Sequence, residues 1–137
     1  DDTLKLIGRH HTVSQVKEAF KLARGCGFDN INMDLIIGLP GETEEHIKRT
    51  MDEVAALAPD SLTVHSLAIK RAANLNIFWE KYKAYSMINT DDIINMTADC
   101  ASAMGMEPYY LYRQKFMSGG FENVGWAKPG CVNLYNI

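Results

Sequence analysis

A short apolar run, followed by a glycine-rich turn and a capped helix, constrains the fold of this chain most strongly. Residues 31–37 are mainly apolar or β-branched, and the turn sequence GLPG follows at residues 38–41. A brief apolar run bounded by turn residues is typical of a strand covered on both faces, as in a parallel sheet. Thr43 then caps a helix whose first turn holds Glu44 and Glu45, close to the helix's positive end. The sequence thus predicts a parallel strand that leads through a tight turn into a helix.

Other segments repeat this alternation of helices and strands. We expect a helix over residues 12–24 with a Thr12–Gln15 capping box and one buried face. The helix capped by Thr43 ends at Pro59 and should bury a stripe of Ile47, Met51, Val54 and Leu57. Strands are expected over 61–67 and 107–114, and a further helix over 90–104. The long connections favour parallel pairing and predict an α/β fold. Three strands cannot close a barrel, so we expect an open wall of a larger protein or a small open sheet.

Two stretches interrupt the alternation. Residues 69–76 precede an amphipathic segment at 77–85, and residues 118–130 are rich in glycine. We interpret both as loops beyond strand ends, where α/β proteins commonly place ligands.

Composition excludes several classes of function. At 137 residues and 47% hydrophobic content the chain is long enough for one domain with a core. Its 14 basic and 17 acidic side chains give a net charge of −3, with no basic stripe for nucleic acid. No apolar run is long enough to cross a membrane and no secretory signal is recognised, so we expect a cytoplasmic protein. Three cysteines far apart in sequence predict reduced, mostly buried thiols and no metal site.

Asp34 is the most informative residue, because a carboxylate buried in an apolar strand without partners costs several kcal/mol. Strand alternation places Asn32, Asp34 and Ile36 on one face. This lining suits a ribose-and-adenine ligand, since the carboxylate can accept sugar hydroxyls and the isoleucine can pack on the base. A hydrogen bond inside the core explains Asp34 about equally well.

The remaining polar residues give weaker signals. The GLPG turn can face an anion, but glycines are also what a tight turn requires. Of residues 9–11, Arg9 is the better candidate for a ligand clamp, because adjacent histidines point apart. His65 lies in a predicted strand, where a hydrogen-bonded core role is the commoner one. Alternation places Tyr110 and Tyr112 on one face and Tyr109 on the other, and packing explains these rings as well as a flat substrate does.

Five segments together carry a resemblance to one enzyme family. They are NMDLIIGLPGET at residues 32–43, IGRHH at 7–11, VHSLAIKR at 64–71, YLYRQK at 110–115 and FENVGWAKPG at 121–130. They resemble the radical S-adenosylmethionine (SAM) enzymes that act as oxygen-independent coproporphyrinogen III oxidases, or dehydrogenases. The resemblance covers nearly the whole chain. It implies that residues 1–137 are the C-terminal part of a catalytic domain with a partial, TIM-like (βα)6 barrel, supplying the last two barrel strands and an extension strand.

The resemblance also implies roles for individual residues. Arg9 would meet the methionine carboxylate of SAM and Asp34 the ribose hydroxyls. The adenine would be surrounded by Ile36, His65 and Ala68. From charge alone, we interpret Arg113, Gln114 and Lys115 as facing the carboxylates of a tetrapyrrole substrate.

The implied reaction removes two propionate carboxylates oxidatively and leaves vinyl groups, in haem and porphyrin biosynthesis. It begins with a 5′-deoxyadenosyl radical, formed when a [4Fe-4S] cluster that has taken an electron from a donor reduces SAM. The protein holds and orients the cofactor. In the family a close-spaced cysteine triad holds the cluster, and Cys26, Cys100 and Cys131 do not form such a triad. We therefore expect the cluster-binding segment to be absent, no catalytic residue or metal ligand here, and no activity from this chain alone.

Two alternatives remain open. The parent protein can instead be a haem-binding chaperone, as some close relatives of these oxidases are thought to be. The chain can also be a non-catalytic nucleotide-binding α/β module, with Asp34 as an internal hydrogen-bonding residue.

Overall fold

A computed structural model of the protein describes residues 1–67, 90–112 and 123–133. In chain order its elements are α1 (Asp2–Leu6), α2 (Val13–Gly25), β1 (Asn32–Ile37), α3 (Glu44–Leu57), β2 (Ser61–Ser66), α4 (Asp91–Ala103), β3 (Glu107–Tyr112) and β4 (Asn123–Ala127). The predicted α/β class is confirmed. The expected loop at residues 69–76 and the amphipathic segment at 77–85 lie outside the described residues. No helix among the described residues is long and apolar enough to cross a bilayer.

Threonine caps fix where three of the helices begin. Thr12 accepts a hydrogen bond from the backbone N–H of Gln15 at 3.2 Å and donates its own N–H to that side chain at 2.9 Å. Thr43 and His46 form the same reciprocal pair at 3.3 Å in both directions. Thr90 caps α4. Each cap satisfies helix N–H groups that have no partner within the helix, which confirms the predicted helix starts.

The strands form one sheet in the order β1-β2-β4-β3. β1 and β2 are parallel, with Asn32 beside Ser61 and Ile37 beside Ser66. β4 is antiparallel to β2, and β3 is antiparallel to β4. β3 therefore runs in the direction of β2 but does not pair with it, which corrects the predicted parallel pairing of the third strand.

β4 lies within residues 118–130, so the prediction that this whole segment is a loop is wrong. Val124 and Trp126 alternate with Gly125, and both pack on the core side of the sheet. This period of two is the strand signal. The neighbouring glycines and Pro129 obscured it.

The core lies on one face of the sheet, under α3 and α4. Its buried members are Ile37, Ile47, Met51, Val54, Leu62, Val64, Ile93, Ala101, Met106 and Trp126. Met33 and Leu35 pack against this cluster, as the predicted alternation of β1 requires. The predicted stripe of α3 is confirmed at Ile47, Met51 and Val54, whereas Leu57 is only half-buried.

Two predictions of burial are wrong. β1 is covered on one face only, because Asp34 and Ile36 are exposed on the other. In α2 only Phe20 is buried, and Val13, Val16 and Leu22 remain exposed. The apolar pattern of α2 is present, but the described residues offer it no apolar partner large enough to cover it, so periodicity alone overstated its burial.

A cluster around Arg24 and Asp60 joins the amino-terminal ends of β1 and β2. The Arg24 guanidinium lies 2.6 Å from an Asp60 carboxylate oxygen and also donates to the carbonyl oxygens of Phe28 and Ala58. The same Asp60 oxygen accepts the backbone N–H of Ile31 at 2.8 Å. Burial alone raises the pKa of Asp60, but the Ile31 hydrogen bond and the Arg24 charge together outweigh it and hold the pKa below its usual value. Ionised Asp60 thus stabilises this end of the sheet.

At the other end of β1, the glycine-rich turn leads into α3. Gly38 and Gly41 have φ values of 79° and 76°, in the left-handed region that favours glycine, which confirms the predicted turn. The Glu42 carboxylate accepts the backbone N–H of Leu39 at 3.0 Å. Burial raises the pKa of Glu42, although this hydrogen bond and the nearby His46 oppose the rise.

Candidate functional site

The open face of the sheet carries a row of polar side chains where β1 and β2 lie side by side. Their parallel register places Asp34 beside Thr63 and Ile36 beside His65. Because side chains alternate along a strand, Asn32, Asp34, Thr63 and His65 share the face opposite the core. The two strands that bury Ile37 and Leu62 on one side thus present a polar surface on the other.

β3 and β4 extend this face. Tyr110 lies beside Gly125 and Tyr112 beside Asn123 in the antiparallel register. Together the four strands form an open cleft of about 230 Å³. It is lined by Asn32, Asp34, Thr63, His65, Tyr110, Tyr112, Asn123 and Asn133.

A short hydrogen-bond chain orients the carboxylate of Asp34. Thr63 donates to the side-chain oxygen of Asn32 at 3.3 Å, and the Asn32 amide donates to Asp34 Oδ1 at 2.8 Å. The Asp34 side chain nevertheless remains 68% exposed. The cost of burying an unpaired charge therefore does not arise, and the carboxylate keeps acceptor capacity for a ligand in the cleft.

His65 lies near the same carboxylate, on the adjacent strand. Its Nε2 lies 3.9 Å from Asp34 Oδ1, a distance that makes an ion pair only when the imidazole is protonated. At the end of the same strand, the backbone N–H of Ser66 donates to Asn123 Oδ1 at 3.2 Å. This bond ties β2 to β4 beside the cleft, so the polar and aromatic sides of the site are held by one connected sheet.

An irregularity in β3 changes where the tyrosines lie. The register shifts between Pro108 and Tyr110, which leaves Tyr109 as an extra residue in the strand. The Tyr109 ring consequently lies over Gly125 on the cleft side, and its hydroxyl accepts the backbone N–H of Asn133 at 3.4 Å. Simple alternation placed Tyr109 on the opposite face from Tyr110, and the bulge shows that this prediction is wrong.

Comparisons with known proteins agree with this arrangement. A family model described as the Radical SAM superfamily matches residues 1–54. The oxygen-independent coproporphyrinogen-III oxidase-like protein HemZ of Bacillus subtilis is 44% identical over 137 residues, which are 100% of this chain and 27% of that protein. The chain is therefore similar to radical SAM proteins over its first 54 residues and to HemZ throughout.

Two further proteins are similar to this chain. The heme chaperone HemW of Bacillus subtilis is 39% identical over 70 residues, which are 51% of this chain and 18% of HemW. Coproporphyrinogen III oxidase (HemN) from Escherichia coli, a solved radical SAM enzyme, matches with a TM-score of 0.71 and 24% identity over 94% of this chain and 27% of HemN. The fold is therefore similar to that of part of HemN. The chain spans 27% or less of the length of these relatives.

The structure brings together some of the predicted SAM-binding residues. Asp34 and His65 both line the cleft. Ile36 lies on the same face and is 38% exposed, although it is not among the lining residues. Arg9 is exposed between α1 and α2 and does not line the cleft. The others, Ala68, Arg113, Gln114 and Lys115, lie outside the described residues.

Sequence reasoning missed three lining residues. Thr63 could have been found from the parallel register, because it alternates with His65 and faces Asp34. Asn123 was hidden in a segment interpreted as a loop. Asn133 follows β4, and no periodic signal marks it.

The chemistry of the site fits one of the two groups that radical SAM proteins use. An exposed carboxylate, an amide and the neighbouring apolar Ile36 suit a ribose joined to a base. An iron–sulfur cluster does not fit here, because no group of three or more histidine, cysteine or acidic residues in the described parts of the chain could hold a metal ion. Cys26 is exposed and Cys100 and Cys131 are partly exposed, so the prediction of mostly buried thiols is wrong.

Proposed function

We propose that this chain forms the SAM-facing, C-terminal part of the catalytic domain of an oxygen-independent coproporphyrinogen III dehydrogenase. The observation that carries this proposal is the position of Asp34. Its carboxylate is oriented by Asn32 and opens into the cleft, whereas the opposite face of the same strand is packed under helices. A carboxylate with only a structural role would have its oxygens enclosed by protein.

Asp34 would accept hydrogen bonds from the ribose hydroxyls of SAM. Ile36 and His65, which follow on the same face, would then lie near the adenine, together with Ala68. Arg9 would hold the methionine carboxylate, since a guanidinium pairs well with that group. Bound SAM supplies the radical chemistry, while these side chains bind and orient it.

The remaining parts of the proposal concern the intact protein. The substrate would be a coproporphyrinogen whose two propionates become vinyl groups, with Arg113, Gln114 and Lys115 near its carboxylates. The [4Fe-4S] cluster would be held by a cysteine triad elsewhere in the protein, and a cytoplasmic electron donor would reduce it. Neither a nucleic acid nor a membrane is proposed as a partner, given the net charge of −3.

SAM binding to variants of the full-length protein tests the role of Asp34. We expect Asp34→Ala to weaken SAM binding by about tenfold or more, as the loss of a charge-assisted hydrogen bond of about 1.5–3 kcal/mol predicts. Asp34→Asn should weaken it less, because the amide oxygen still accepts. The control is Asp52→Ala, which removes an exposed carboxylate from α3 on the other side of the sheet. Equal affinities for wild type and Asp34→Ala would make Asp34 structural.

Activity of the full-length protein tests the reaction itself. After anaerobic cluster reconstitution, addition of a reductant should produce SAM cleavage, and coproporphyrinogen III should lose carbon dioxide. Failure to cleave SAM with the cluster present would remove the proposal.

A second candidate, a haem chaperone, is favoured by the likeness of 51% of the chain to HemW. Haem titration and a decarboxylation assay on the same preparation separate the two. Tight, stoichiometric haem binding without decarboxylation would favour the chaperone.

A further inference from the structure

The cleft has two chemically different sides. The side formed by β1 and β2 carries Asp34 and His65, whereas the side formed by β3 carries Tyr110 and Tyr112. β1 and β3 are the outer strands of a four-stranded sheet, so about 14 Å separates them at ordinary strand spacing. If an adenosyl group takes the polar side, the aromatic side is left for a second ligand.

The two tyrosines form a continuous aromatic surface. Their side chains leave the same face of β3 two residues apart, and their rings are parallel within 6° with centroids 6.4 Å apart. Stacked rings at this separation attract each other and hold a common orientation. The pair is therefore a preformed wall.

Neighbouring residues fix that wall against the sheet. A Cβ atom at Gly125 would lie 3.1 Å from Tyr110 Cβ and 3.2 Å from Tyr109 Cε1, closer than ordinary contacts. Glycine at this position therefore lets the Tyr109 ring and the Cβ atom of Tyr110 lie directly against β4. The Asn133 N–H donates to the Tyr109 hydroxyl, and this bond helps to hold the Tyr109 ring in place beside Tyr110.

Exposure argues that packing alone does not account for Tyr112. Although its ring stacks on Tyr110, the residue remains 47% exposed. A tyrosine that serves the core would bury its ring, as Trp126 does at 8% exposure in the adjacent strand. An exposed, oriented aromatic ring in a cleft is a typical contact for a flat ligand with polar substituents, because the ring stacks and the hydroxyl donates a hydrogen bond.

We infer that Tyr110 and Tyr112 form the substrate-facing wall of the cleft, with Tyr112 stacking on a pyrrole ring of the tetrapyrrole and its hydroxyl reaching a propionate. This inference rests on the proposed function, because it takes the substrate from there. It adds the residues that hold the substrate beside SAM. They are positioning contacts that do not change covalently.

Binding measurements on the full-length protein test the inference without requiring turnover. The probe is coproporphyrin III, the stable oxidised form of the substrate, and SAM binding is measured in parallel on each variant. The informative variants are Tyr112→Ala and Tyr112→Phe. The matched control is Leu111→Ala, which removes a side chain that is 64% exposed on the opposite face of the same strand.

We expect Tyr112→Ala to weaken coproporphyrin III binding about tenfold, while SAM affinity stays within about twofold of wild type. Tyr112→Phe should restore most of that loss, since the ring remains, and Leu111→Ala should bind both ligands as wild type does. Tyr110→Ala should act in the same direction as Tyr112→Ala.

Several outcomes would overturn the inference. Unchanged coproporphyrin III binding in Tyr112→Ala would leave the wall without a role in substrate binding. Loss of SAM affinity alone would assign the rings to adenine, and equal loss of both ligands, at wild-type circular dichroism and melting temperature, would make them structural. Failure of the proposed function is distinguishable, because a wild-type protein that binds coproporphyrin III through Tyr112 but never cleaves SAM leaves the inference standing.

Discussion

The two faces of the sheet are made by the same strands but carry opposite chemistry. One face packs Ile37, Leu62 and Trp126 under two helices, whereas the other presents Asp34 and Tyr112 to an open cleft. Adjacent residues of one strand thus face the packed core and the open cleft in turn. The comparison teaches that the strands with the most apolar sequences are also the ones that position the polar site, because alternation assigns every second residue to the cleft.

Two neighbouring isoleucines give the strongest test of this division. Ile37 is 1% exposed in the core, and Ile36 is 38% exposed on the cleft side. We expect Ile37→Ala to lower the free energy of unfolding by about 2–5 kcal/mol, because it leaves a cavity in the core. Ile36→Ala should cost less than about 1 kcal/mol but weaken SAM binding. Denaturant unfolding and SAM titration of the full-length protein measure both effects.

Equal destabilisation by these two substitutions would contradict the division between the faces. It would mean that Ile36 is covered by protein in the intact molecule. Because both changes remove the same atoms from adjacent positions, each variant serves as the control for the other.

The next largest effect is expected where β1 and β2 begin. Asp60→Asn removes the negative charge that pairs with Arg24 and should cost about 1.5–3 kcal/mol at neutral pH. The folded protein lowers the pKa of Asp60, so its contribution is present above the unfolded pKa and is lost as pH falls through the folded one. Stability of wild type should therefore fall more steeply on acidification than that of Asp60→Asn.

Asp29→Asn is the control for this experiment, since Asp29 is an exposed carboxylate in the segment before β1. This substitution should leave the fall in stability at acidic pH as steep as in wild type. If Asp60→Asn also leaves it unchanged, the interactions around Asp60 do not stabilise the ends of the two strands.

A smaller effect is expected from filling the space beneath the tyrosines. Gly125→Ala places a Cβ atom 3.1 Å from Tyr110 Cβ, so the wall must shift, and we expect a loss of about 1–3 kcal/mol. Gly25→Ala is the matched control, because a Cβ there meets nothing within 4 Å. Thermal unfolding compares the two. A neutral Gly125→Ala would show that the Tyr109 ring and Tyr110 Cβ do not lie directly against β4.

The smallest expected effect concerns the turn that joins the strand to α3. The folded protein raises the pKa of Glu42, so any stability gained from its protonated form is complete below the unfolded pKa and is lost as pH rises through the folded one. Glu42→Gln keeps an acceptor for the Leu39 N–H and should change stability at neutral pH by less than about 1 kcal/mol. It should also flatten the pH dependence between those two values.

Glu45→Gln, an exposed position in the first turn of α3, controls for the loss of an acidic charge. Equal flattening of the pH dependence by Glu45→Gln would assign the effect to the helix start and remove the turn as its source.

Local sequence signals predicted much of the fold and the polar half of the site. Helix starts followed from Thr12 and Thr43 because capping depends on residues within one turn. Asp34 could be expected on one face with Asn32 and Ile36 because alternation along a strand is local as well. His65 was placed near them only by the family resemblance, since the pairing of β1 with β2 joins distant segments.

The rest depends on contacts between distant segments. β4 escaped prediction because its strand pattern is brief and flanked by glycines. The bulge at Tyr109 shifts a side chain to the other face without any local sign. Burial of α2 depends on what lies against it, which no periodicity records.

The position of β4 between β2 and β3 has a consequence for how the sheet can grow. β3 is an outer strand, but Pro108 lacks an N–H to donate and the shift at Tyr109 breaks its register. β1, the other outer strand, is regular throughout its parallel pairing with β2. An additional parallel strand would therefore pair more readily beside β1 than beside β3, whose irregular edge limits growth of the sheet on that side.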